Sequence, residues 1–74
     1  MKVEIKILLK EAREKKGLSL RDLEKLSGIS KSQISAIERG ENMPTLYAIC
    51  CIAAALGVDE KELYSWKVAP VQPE

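Results

Sequence analysis

The sequence predicts an all-α fold, a compact bundle of five short helices, on three observations. Capping-box spacing recurs three times, at Ser19 with Asp22, Ser30 with Gln33, and Asp59 with Glu62. Each box is flanked by an apolar pair at hydrophobic-staple spacing: Leu18 with Leu23, Ile29 with Ile34, Val58 with Leu63. Strand signals are weak, with no Phe, few β-branched runs and no Asn-Gly or Asp-Gly turn. The length suits one domain, expected over residues 1–66, with residues 67–74 a flexible C-terminal tail that carries two prolines.

The elements follow in chain order. A first helix is predicted from Val3 to Lys16, with Ile5, Leu8, Leu9 and Ala12 on one stripe and Gly17 as its stop. A second spans Leu20–Ser27 and is closed by Gly28, and a third runs from Lys31 to Arg39 and ends at Gly40. Residues 41–44 read as a loop. Thr45 then caps a fourth helix, Leu46–Leu56, whose core stripe is expected to be Leu46, Ile49, Cys50 and Ala53. Gly57 stops it, and Asp59 opens a fifth helix reaching Tyr64 or Trp66.

The stretch Leu18–Gly40, LSLRDLEKLSGISKSQISAIERG, carries the functional signal. Two short capped helices joined by a glycine turn are how a helix-turn-helix presents a reader to the DNA major groove. At 100° per residue, Ile34 and Ile37 point into the core, while Lys31, Ser32, Ser35, Ala36 and Arg39 line the outer side. That face is small, polar and edged by cations, so it can approach base edges closely. Lys31 and Ser32 lie in the first turn, where free backbone N–H groups favour phosphate. Gln33 is read first as the reciprocal partner of Ser30 in the capping box and second as a DNA contact.

Composition excludes much else. There is no histidine, and the only two cysteines, Cys50 and Cys51, are neighbours, a poor start for a disulfide or a zinc site. No enzyme activity, cofactor or metal is therefore expected. No apolar run approaches a membrane span, and charges interrupt the first ten positions, so a cytoplasmic protein is expected. Net charge is only +1, but residues 1–40 hold ten Lys and Arg against six Asp and Glu, and residues 41–74 two against five. The basic half is the one containing the helix-turn-helix. The three aromatic residues all lie outside that half, which leaves no stacking platform for single strands or RNA.

From Ile5 to Tyr64 the chain resembles the phage-repressor (Cro/C1, or XRE-type) helix-turn-helix family. The resemblance rests on REKKGLS, GISKSQISAIERG, the P-T-L segment and LGVDEKEL, and on the spacing between them. It implies a lambda-repressor-like fold and a structural ion pair between Arg13 and Glu38. By position it implies that Lys31, Ser32 and Ala36 read bases, with Ser35 beside them on the open face. It likewise places Gln33 and Arg39 on phosphate or bases. Two departures stand out. Leu20 replaces a common glutamine, so that either the second helix contributes less to phosphate binding or Arg21 takes the role. Glu24 replaces a common alanine, so that its carboxylate must tilt outward or find a cation such as Lys31.

One short helix with few cationic contacts gives little affinity, so a homodimer on a palindromic site is expected. Tyr47, Cys51, Ala54, Val58, Tyr64 and Trp66 are the interface candidates. The function expected is that of a sequence-specific transcriptional regulator of double-stranded DNA, a repressor in sense. The alternative is a protein-interaction module such as the antitoxin of a toxin–antitoxin pair. A restriction-modification controller is a further option within the first class.

Overall fold

The computed structural model describes residues 1–70, and it opens on a strand rather than a helix. Lys2–Ile7 (β1) pairs antiparallel with Tyr64–Ala69 (β2) in a two-stranded sheet. The register sets Val3 against Val68, Ile5 against Trp66 and Ile7 against Tyr64. Both segments alternate strictly, with β-branched or aromatic residues at every second position, which suits a strand with one apolar side. Ile5 fits a helical stripe with Leu8 and Leu9 equally well. The alternation prevails because the two chain ends meet.

The five-helix, all-α expectation is therefore corrected: four α-helices and one two-stranded sheet make up the described residues. The first helix shrinks to α1, Leu9–Lys15. No side chain caps it; instead Leu8 N–H donates to Leu63 C=O at 2.8 Å, extending the ladder into the helical body. The expected fifth helix is a 3₁₀ turn over Glu60–Leu63, opened by a complete Asp59–Glu62 capping box. It ends because Tyr64 is already extended, at φ −157°. Of the tail expected over residues 67–74, Lys67–Ala69 belong to β2, and residues 71–74 lie outside the described residues.

The middle of the chain forms α2 (Leu20–Ser27), α3 (Lys31–Glu38) and α4 (Leu46–Leu56). Ser19, Ser30 and Thr45 cap them, each side-chain oxygen accepting a first-turn N–H at 3.0–3.1 Å. Leu9, Leu23, Ile34, Ile37, Ile52 and Leu63 are fully buried, so every helix and the 3₁₀ turn contribute to one core. On α4 the expected stripe is half right. Ile49 and Ala53 are buried with Ala48, Ile52 and Leu56, whereas Leu46 and Cys50 are exposed. Since α4 carries no charge, its sequence gives no phase from which to choose the inner face. Among the described residues, no helix is long and apolar enough to cross a membrane.

Candidate nucleic-acid interface

The reading helix is positioned by its turn. Gly28 closes α2 in the left-handed conformation, at φ 77°, which a side chain would strain, and its N–H bonds Glu24 C=O. Ser27 Oγ accepts the Ile29 N–H at 3.1 Å, and Ile29 itself is buried, anchoring the turn to the core. Ser30 then starts α3. Only the Ser30 half of the expected capping box forms, leaving the exposed Gln33 side chain outside it.

Glu24 resolves its departure from the family pattern in an unanticipated way. Its Oε2 accepts the backbone N–H of Lys31 at 2.8 Å, not the Lys31 ammonium. A carboxylate thus sits at the positive end of α3 and takes one of the N–H groups assigned to phosphate. The helix N-terminus keeps fewer free donors than its sequence implies.

A second link fixes the far end of α3. Arg13 of α1 donates from Nε to Glu38 Oε2 at 2.7 Å and from Nη2 to Oε1 at 2.9 Å. Its Nη1 reaches Leu18 C=O at 2.9 Å. The two side chains are only 11% and 7% exposed, so this bidentate pair is largely withdrawn from water. The bond to Glu38 holds the Arg13 pKa above its ordinary value, against the opposing effect of burial. Such a pair acts mainly as a positional constraint, because desolvation offsets most of its attraction.

Between these two restraints α3 turns its polar side outward. Lys31, Ser32 and Gln33 are exposed, Ser35 is half-buried, and Lys31, Ser32, Ser35 and Arg39 line one shallow depression. Ala36 is not among them. It is 8% exposed, so of the expected base readers it has the least surface open.

Arg39 caps the helix rather than ending it. Its guanidinium is already engaged, with Nε on Glu41 Oε2 at 2.6 Å, Nη2 on Oε1 at 3.2 Å, and Nη1 on Ser35 Oγ. The Glu41 carboxylate holds the Arg39 pKa up, and Arg39 holds that of Glu41 down. Glu41 was not singled out by the sequence; an acidic residue two places after a helix-ending Arg is the signal that marks it. Arg21, in the first turn of α2, is exposed.

The interface candidates divide among several surfaces. Tyr47 and Ala54 are exposed on α4, and Tyr47 lies beside the half-buried Cys51, whose thiol pushes the phenol pKa up. Val58 is half-buried in a hollow shared with Leu8 and Ala12. Tyr64 is half-buried in a different hollow, with Ile5 and Met43, and Trp66 is 61% exposed on β2.

This geometry can be set beside known proteins. A helix-turn-helix family matches residues 9–63, from the start of α1 to the end of the 3₁₀ turn. The chain belongs to that family. It is the XRE, or Cro/C1, type of helix-turn-helix, a family of DNA-binding regulators rather than enzymes.

The helix-turn-helix chain is 41% identical over 51 residues to an uncharacterised HTH-type transcriptional regulator, y4dJ, of Sinorhizobium fredii. It is 40% identical over 50 residues to the HTH-type transcriptional regulator SutR of Escherichia coli. These matches span 69% and 68% of this chain, but 66% and 28% of the two relatives. The crystal structure of the restriction-modification controller protein C.AhdI from Aeromonas hydrophila superposes with a TM-score of 0.71 at 39% identity. That match covers 73% of this chain and 82% of the other.

Proposed function

We infer that this helix-turn-helix protein is a sequence-specific transcriptional regulator of repressor type, reading the major groove with α3 as a two-fold pair on a palindromic site. The observation that carries the reading is the open face of α3. Lys31, Ser32 and Gln33 stand clear of the core while Ile34 and Ile37 on the same helix are fully buried. A helix so held can enter a groove about 12 Å wide without a bulky apolar side chain in the way.

Roles follow from reach and chemistry. Ser32 and the free Gln33 amide are the base readers, the amide matching adenine N6 and N7. Lys31, Arg21 and Arg39 hold phosphates, with Arg39 exchanging the Glu41 carboxylate for a phosphate of similar fork geometry. Similarity to C.AhdI, a restriction-modification controller protein, supports a regulator of that kind.

Selection of bound duplexes from a random pool, followed by footprinting, tests the reading. Two inverted half-sites centred about one helical turn apart are expected. A pool with no enriched sequence overturns it. The second reading, a protein-partner module such as an antitoxin, is favoured by one observation, the uncovered apolar side of the β1–β2 ribbon.

A further inference from the structure

Directly opposed residues of an antiparallel pair share a face, so the β1–β2 register divides this ribbon cleanly. Val3, Ile5, Ile7, Tyr64, Trp66 and Val68 form one side. The other side bears Lys2, Glu4, Lys6, Ser65 and Lys67, with Lys67 Nζ 3.8 Å from Glu4 Oε2. Only Ile7 and Tyr64 pack against the core. Val3, Ile5, Trp66 and Val68 are between 46% and 61% exposed, so the helical body does not cover the apolar side.

That surface continues past Tyr64 to Met43 and Leu46, which are 64% and 74% exposed around a hollow shared with Ile5. A two-stranded ribbon with nothing on its apolar side is marginal in water. This side is the part of the fold that gains most from a partner.

We propose that a second copy of this chain docks here, the two ribbons packing apolar side to apolar side about a two-fold axis, with Met43 and Leu46 at the margin. The proposal deepens the reading of the chain as a paired reader of DNA and rests on it for the need of a second copy. Three properties of the surface select that occupant. A two-fold interface must complement itself, and an uncharged apolar strip does so where a strip of one charge would repel its copy. Val3, Ile5, Trp66, Val68, Met43 and Leu46 each keep between 46% and 74% of their surface open, the kind of contiguous apolar set that a standard interface of ~800 Å² per partner covers. Trp66 lies near the middle of the ribbon's apolar side, and a large aromatic there is the usual anchor of such a contact. The sequence expectation of pairing through α4 together with Val58, Tyr64 and Trp66 is thereby narrowed to the ribbon that carries Tyr64 and Trp66.

Trp66 is the only tryptophan, which makes it a probe of its own interface. Sedimentation velocity and acrylamide quenching of Trp66 are measured without DNA over the same thousandfold range of concentration. The expected result is a monomer–dimer transition with quenching that falls at the same midpoint. Ile5→Glu or Val68→Glu raises the dimer dissociation constant by roughly thirtyfold or more, with helical circular dichroism unchanged. Ser65→Glu, on the polar side, leaves association as it was.

A monomer at every concentration overturns the proposal. A dimer whose Trp66 stays quenchable overturns it too, since another surface then pairs. So does a monomer whose Trp66 is shielded throughout, since the chain then covers itself. A strict monomer removes the two-fold part of the DNA reading as well. None of these outcomes bears on groove reading by α3, which is followed separately: parent and Ile5→Glu are expected to bind a single half-site duplex alike, and a folded parent that does not bind it speaks against α3 instead.

Discussion

Glu24 of α2 accepts the Lys31 N–H at 2.8 Å, so the two helices of the helix-turn-helix are joined by an internal anion at the mouth of the reading helix. A carboxylate there stabilises the helix and competes with phosphate for the same donor. Glu24→Ala is expected to lower stability by about 1 kcal/mol, the usual loss on removing such a cap. It should also tighten binding to all duplexes. Melting curves and anisotropy titrations over a salt series measure both. Weaker DNA binding in a folded variant would show that Glu24 does not compete with phosphate.

The Arg13–Glu38 pair is nearly buried, and breaking it leaves an uncompensated charge. Glu38→Ala is expected to cost about 3–5 kcal/mol, as for other buried pairs that lose one partner. Replacing both residues by apolar ones of similar volume should recover most of that loss. Urea denaturation reads the difference, and a Glu38→Ala variant as stable as the parent contradicts a structural role for the pair.

Arg39 and Glu41 form a cycle that separates clamp from contact. Arg39→Ala should weaken binding to every sequence and reduce the salt slope by about one per protomer. Glu41→Gln should strengthen binding, because the guanidinium is released to phosphate. In an Arg39→Ala background, Glu41→Gln should do much less. Equal effects of Glu41→Gln in both backgrounds, measured by anisotropy, would mean that Glu41 acts on DNA by general repulsion alone.

Stability should fall in acid through the helix caps. The Asp22 carboxylate accepts the Ser19 N–H, and the Asp59 carboxylate is held by the Glu60 side chain and then by the Lys61 N–H; both carboxyl pKa values are lowered in the fold. A group depressed in this way contributes its stability above the ordinary aspartate value, about 3.9, and loses it as pH falls through the folded value. Asp22→Asn is expected to lower the melting temperature at neutral pH, where the carboxylate makes its contribution, and to flatten the acid limb below pH 4, where the parent has already lost it. An unchanged acid limb would contradict the assignment.

The parts of the fold that were legible are those written in local signals. Ser19, Ser30 and Thr45 each cap the helix they announce, and Gly28 makes the turn. The ribbon was not legible because its two strands lie at opposite ends of the chain, and Ile5 serves a helical stripe and an alternating strand alike. Asp59 correctly marked the start of an element, but a capping box fixes a beginning and not a length, and the element proved to be one 3₁₀ turn.

Within the site, Lys31 and Ser32 are open, as the helical projection implies, and so is Gln33, which the spacing reads first as a capping partner. Ala36 keeps only 8% of its surface, a burial that a projection of one isolated helix cannot show. The clamp at Glu24 depends on tertiary proximity that spacing does not record, whereas the one at Glu41 is hinted at by its place two residues after Arg39 but needs one rotamer to form.

The claim that α3 reads sequence is tested most directly by Ser32→Leu, with specific and scrambled duplexes titrated side by side against variant and parent. Ser32 is exposed, so the variant should keep its helical content and its salt-dependent affinity for the scrambled duplex. The parent should prefer the selected site by roughly a thousandfold or more, and the variant should lose or redirect that preference. If parent and variant discriminate equally well, α3 does not meet the bases and the account is wrong.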